Sequence, residues 1–216
     1  MSLLTEALDK IENYVEYLCQ ITNSESSGLD PGLSQAQIEE IIEKEAQFYN
    51  ELRGFSPAKV FSQEIYEFYQ WHNGERFGVS FISPDYSYWS LEEAIREIGD
   101  ELQVRLFADE RGSYMVVGSK EPHDTSPVYM DSKRHLHYSS LTKMMQSIAD
   151  VLDMTLNLLH ERGNNHGNYQ ERLESWRSIM QYILGDNEKR YTCDLRLLDI
   201  EYFLDAALNV RGYIEV

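Results

Sequence analysis

Hydrophobic residues change their period along this 216-residue chain, and the changes divide it into elements. Leu4, Leu8, Ile11, Val15 and Leu18 recur at alternating spacings of four and three, which puts them on one stripe of a helix over residues 3–21. The turn-rich run from Asn23 to Gly32 ends that element. Ser34 to Gln37 then has capping-box spacing. Ile38, Ile41, Ile42, Phe48, Tyr49 and Leu52 supply the apolar side of a second helix, whose other side carries Glu39, Glu40, Glu43 and Glu45. Ser62 to Gly74, SQEIYEFYQWHNG, reads as a short third helix. Ser62 would cap it by accepting a backbone N–H, and Asn73-Gly74 would supply the left-handed residue that stops it.

Beyond Gly74 the pattern shifts to short runs rich in aromatic and β-branched residues. Phe77 to Ile82, Gln103 to Phe107, Ser113 to Val117 and Pro127 to Met130 read as strands, with Ala108 to Gly112 as a hairpin loop, so the connectivity is of antiparallel type. Ser90 to Glu93 is a second capping box, and the spacing predicts a helix through Ala94, Ile95 and Ile98 to Gly99. Ser140 opens a long helix with Leu141, Met144, Met145, Ile148, Leu152 and Leu159 on one face. Arg162 to Asn168 reads as a linker, followed by two further helical patterns around Trp176 to Ile183 and Leu197 to Leu208.

The order of these pieces resembles the SUKH superfamily. The matching parts are the acidic helix Ile38 to Leu52, the helix closed by Asn73-Gly74, the Leu106-Phe107 strand entering the acidic hairpin Asp109-Glu110-Arg111-Gly112, the Pro127-Val128-Tyr129 strand, and the closing helix from Ser140 to Leu159. Trp89 to Ala94 resembles that family's usual short helix, and the match spans about residues 30–158. The resemblance implies an α+β binding domain, not an enzyme. Bacterial members are associated with immunity against delivered toxins, often nucleases, and fungal relatives with regulation of cell-wall synthesis. The expected organisation is an N-terminal helix and loop over 1–29, a SUKH-like domain over 30–160 with a mostly antiparallel sheet, helices mainly on one face and Trp71 buried, and a C-terminal helical extension over 161–216. Both extensions carry apolar stripes, which predicts that they dock on the domain or pair across a dimer.

Charge narrows the function further. The chain carries a net −18, and residues 1–110 alone hold 22 acidic against 7 basic side chains. Such a surface repels phosphate backbones and anionic membranes and favours a basic protein partner. Ten of the 26 aromatics lie between Phe61 and Trp89, as in a stacking platform for single strands, but Glu64, Glu67, Glu75 and Asp85 stand among them against Arg76 alone. These aromatics read as core. No apolar run approaches the ~18 residues that span a bilayer, and the acidic, amphipathic start MSLLTEALDKIENY is unlike a signal peptide, so the expected location is cytoplasmic. Cys19 and Cys193 read as reduced thiols.

Catalytic motifs fail in turn. His160-Glu161 opens a zinc-protease pattern, but Asn164 stands where the second histidine belongs. There is no P-loop, no dinucleotide fingerprint and no Gly-x-Ser-x-Gly elbow. His135 and His137, with His123 or Asp131, could hold a divalent metal, though a Lys-Arg-His-Leu-His run also suits a solvated edge strand. The expectation is therefore no catalytic residues, no metal and no cofactor.

The reading is a non-enzymatic acidic inhibitor of a basic partner of the immunity type. Its contact surface is assigned to Glu39, Glu40, Glu43, Glu64, Glu67, Glu75, Asp109 and Glu110, with Tyr86 and Trp89 as aromatic anchors. The alternative is a regulatory or scaffold protein whose helical extensions bind other proteins. A metal-dependent enzyme is third.

Overall fold

The computed structural model describes residues 1–22, 27–75, 87–108, 113–130 and 135–164. Helix α1 (Leu3–Thr22) forms on the predicted stripe, and Leu4, Leu8, Ile11 and Val15 are all buried. α1 lies along α5 (Leu141–Asn164), the long C-terminal helix, and Lys10 bridges to Asp150 at 3.1 Å across their outer edge. The N-terminal helix is thus part of the core. α5 continues through Arg162 and Gly163 to Asn164, into the stretch that reads as a linker, and the predicted helices beyond it lie outside the described residues.

The fold is α+β. β5 (Glu101–Ala108) is the central strand, with β3 (Ser87–Tyr88) and β4 (Ile95–Ile98) sharing one of its edges. β6 (Ser113–Val117), β7 (Val128–Met130) and β8 (His135–Tyr138) follow on the other, and these strands pair with one another antiparallel throughout, with one isolated parallel bridge from Ala58 to Glu101. Three of the expected strands recur as β5, β6 and β7, and Phe77 to Ile82 lies outside the described residues. β8 is the edge strand that its composition suggested, with Leu136 exposed. A second, two-stranded ladder joins β1 (Leu29–Pro31) to β2 (His72–Glu75). The sequence gives little sign of β1, because turn formers surround it and Pro31 removes a ladder donor.

Between the sheet and the helices sits one continuous core. Phe68 and Tyr69 of α3 (Gln63–Trp71) meet Tyr88 and Phe107, with the Phe68 ring 5.1 Å from Tyr88 and 5.9 Å from Phe107. Burying side chains of this size contributes about 1.5–3 kcal/mol each. Trp71 is half-buried: its ring stacks 6.4 Å from Tyr88 and its indole N–H donates to Glu12 at 2.9 Å.

Two predicted elements change character. The capping box expected at Ser90 does not close, because the Ser90 hydroxyl donates to the Glu93 carboxylate at 3.0 Å and accepts no backbone N–H. A single turn, α4 (Leu91–Ala94), follows, after which the chain becomes β4 and returns through Gly99 and Asp100 into β5, with Ile95 opposite Val104. Ile95 and Ile98 are β-branched, and eight-residue β5 offers them a ladder stronger than a solvated helix end. Asn73-Gly74 does not stop α3 either. That helix ends at Trp71, and His72 is already extended, with φ −147° and ψ 153°. Asn73 and Gly74 instead form part of β2, where the Asn73 carboxamide oxygen accepts the Leu91 N–H at 2.8 Å and thereby caps α4 from a distance. Gly74, at φ +90°, lies so close to the next segment that a Cβ would stand 2.5 Å from the Ser90 nitrogen. The motif is a bracket between β2 and α4.

Candidate interaction surface

Helix α2 (Gln35–Arg53) begins at the predicted capping box. The Gln37 N–H donates to Ser34 Oγ at 3.4 Å and the Ser34 N–H to the Gln37 side chain at 2.9 Å. Ile38, Ile42, Ala46 and Tyr49 face the core, which turns Glu39, Glu40 and Glu43 to solvent together. Glu39 accepts from Gln35 at 2.8 Å, Glu43 is paired with Lys59, and Glu40 is exposed. Helix geometry brings these carboxylates onto one surface.

The remaining assigned residues divide. Glu67 is half-buried and accepts from Ser2. Glu75 is half-buried and accepts the Tyr88 N–H at 3.4 Å; burial raises its pKa, and that hydrogen bond only partly opposes the rise. Trp89 packs against the core as a half-buried ring, and Tyr86, Asp109 and Glu110 lie outside the described residues. Glu64 does not belong on a contact surface. It is buried at 8% exposure, and its carboxylate accepts the N–H groups of Ser126, Leu141 at 3.3 Å and Thr142 at 3.1 Å, and the Thr142 hydroxyl. Glu64 caps α5 from α3, where a carboxylate meets the positive end of the helix. The Ser62 side chain does not cap α3 as expected; its hydroxyl bonds to that of Ser126 instead, and only its carbonyl accepts from the helix, at 3.1 Å from the Ile65 nitrogen.

Phe48 and Leu52 are also displaced from their expected place. Both are exposed, at 56% and 59%, because Ala46 and Tyr49 continue the buried stripe of α2 and leave these two residues beside it. An alanine on the inner stripe was the available signal.

A charged clamp fastens α1 to this region. The His72 ring sits between Glu12 Oε2, 2.8 Å from Nε2, and the Asp30 carbonyl, 2.9 Å from Nδ1. Both partners can only accept when Glu12 is ionised, so the arrangement selects the doubly protonated imidazolium. Burial alone lowers the His72 pKa, but the hydrogen bond to Glu12, the Asp30 carbonyl and the Glu12 charge together raise it above its ordinary 6.5. Glu12 is lowered below 4.5, first by the hydrogen bond from His72 and against the cost of burial, with the His72 charge and Trp71 assisting.

The signs fix a pH window. A raised histidine contributes stability that is complete below 6.5 and lost as pH climbs through its folded value, whereas a lowered carboxylate contributes above 4.5 and loses it as pH falls through its own. The stability advantage of the native chain over His72→Gln is therefore expected to be largest between 4.5 and 6.5 and to shrink above neutrality. Urea unfolding of both proteins across pH, with a His72 NMR titration, measures it; an advantage that is flat with pH would contradict the clamp.

Among the described residues no cluster of His, Cys, Asp or Glu could hold a metal ion, and no helix is long and apolar enough to cross a membrane. His123 Nδ1 lies 3.0 Å from the Ser119 hydroxyl and His137 packs edge-on against Tyr114, while Asp131 is outside the described residues. No family model, no curated protein and no solved structure matches the chain.

Proposed function

We propose that this protein is a non-enzymatic acidic binder that inhibits a basic protein partner, in the manner of a toxin-immunity protein acting in the cytoplasm. The observation that carries the reading is the outward row of Glu39, Glu40 and Glu43 on a helix whose other side is fixed in the core, within a region of 22 acidic and 7 basic residues. Carboxylates held on a packed helix need little reorganisation when a cationic surface arrives, and long-range attraction of this kind raises association rates by roughly 10 to 10³. A toxin that grips nucleic acid has such a surface. The resemblance to the SUKH superfamily supports the same reading. The alternative, a scaffold that binds through its helical extensions, has less support, because the α1 stripe is occupied within the domain.

The test compares two double charge reversals in binding to a partner recovered by affinity at low salt. E39K/E40K on α2 is expected to weaken binding by about tenfold or more, on the scale of ~1.4 kcal/mol per decade. E121K/D124K, on an exposed loop after β6, is expected to change it much less. Equal effects of the two would leave only the net charge and remove α2 as the contact.

A further inference from the structure

Of the seven large hydrophobic side chains that are exposed among the described residues, four gather around Tyr49. Phe48 and Leu52 are neighbours one helical turn apart on α2. The Phe55 ring, 45% exposed, packs edge-on at 5.3 Å from the Tyr49 ring. Ile98, 38% exposed, precedes Gly99, whose carbonyl accepts the Tyr49 hydroxyl. Tyr49 itself is buried, so it fixes the end of α2 and the tip of the β4–β5 hairpin to one another and leaves the four apolar side chains around that join. Scattered exposed hydrophobics are ordinary on a protein surface; a contiguous group on rigid elements marks an interaction site.

We propose that Phe48, Leu52, Phe55 and Ile98 form the anchoring centre of the partner interface, and that its occupant is a cationic amphipathic segment of a protein, with apolar side chains flanked by Lys or Arg. The charge around the patch selects this occupant. Five acidic residues stand beside these four in the chain, Glu51 and Asp100 exposed and Glu45, Glu97 and Glu101 half-exposed, against the exposed Lys44, Arg53 and Arg96. A second copy would bring the same acidic rim against itself on a chain of net −18, whereas a basic segment neutralises the rim while its apolar face covers the centre. An apolar centre within a charged rim is the arrangement in which a few anchors dominate affinity. The inference deepens the acidic-binder reading and rests on it for the sign of the partner's charge.

Two synthetic helical peptides test it on the full isotope-labelled chain: one with Lys and Leu at helical spacing, the other with each Leu replaced by Ser and the charge unchanged. The Lys/Leu peptide is expected to bind about tenfold or more tighter and to shift amide signals around Phe48, Leu52, Phe55 and Ile98. F48S/L52S is expected to reduce its affinity to that of the Lys/Ser peptide, with the melting temperature maintained. Equal binding of the two peptides, or shifts centred elsewhere, would overturn the proposal. A dimer that F48S/L52S dissociates in sedimentation would assign the face to a second copy, and a fall in melting temperature to another part of this chain; either overturns it. Failure here is separable from failure of the broader reading. Loss of partner binding in E39K/E40K but not in F48S/L52S removes this face and keeps the acidic binder, and the opposite result does the reverse.

Discussion

Glu64→Ala is expected to lower unfolding stability by about 2–4 kcal/mol, since each buried donor left without an acceptor costs roughly 1–3 kcal/mol and a lost helix cap about 0.5–2 kcal/mol. The side chain is the common acceptor for Ser126, Leu141 and Thr142, and it joins the start of α3 to the start of α5. Glutamine keeps one carbonyl oxygen but turns an NH₂ group toward donors, so Glu64→Gln is expected to recover only part of the loss. Urea unfolding of the three proteins measures both effects. Partner affinity of the folded fraction should be unchanged, because Glu64 is internal. A stable Glu64→Ala variant with weakened binding would restore Glu64 to the contact surface.

Gly74→Ala is the second large effect. The position combines φ +90° with backbone neighbours: a Cβ would stand 2.5 Å from the Ser90 nitrogen and 2.9 Å from both the Ser90 Cα and the Trp89 carbonyl carbon. None of these atoms is the end of a flexible side chain, so the Trp89 to Leu91 segment must move, and the Asn73 to Leu91 hydrogen bond moves with it. Left-handed strain of about 1–2 kcal/mol and overpacking of about 1–3 kcal/mol together predict a loss near 3 kcal/mol or more. Gly54→Ala supplies the comparison. That glycine has φ +80° with nothing within 4 Å of its would-be Cβ, so it carries the backbone strain without the clash. Melting temperatures of the two variants separate the terms. Equal losses would show that the approach to Ser90 does not matter.

What was legible in the sequence depended on whether a local pattern also decided the tertiary role. The stripe of α1 and the capping box of α2 survive in the structure because periodicity and hydrogen bonding there are complete within one element. Strands β5 and β6 were legible because their β-branched and aromatic runs flank a short loop. The departures occur where a distant residue intervenes. Asn73 reads as a helix stop until Leu91 is seen to donate to it, and Ser90 reads as a helix start until β5 draws Ile95 into a ladder. Charge was the least legible property at the level of single residues. Glu39, Glu40 and Glu64 look alike along the chain, and only the docking of α5 over α3 separates an interior cap from a solvent face. The exposed face at Phe48 and Leu52 escaped for a related reason: small Ala46 occupies the inner stripe where a large residue would be expected.

The association rate of the partner as a function of ionic strength tests the central claim most directly. Between about 0.01 and 0.1 M salt the screening length falls from ~30 to ~10 Å, so attraction between an acidic face and a basic partner is expected to weaken steeply while the dissociation rate changes little. E39K/E40K should associate more slowly and with a flatter salt dependence. Association that is indifferent both to salt and to this charge reversal would contradict the acidic-inhibitor account and leave the scaffold reading ahead.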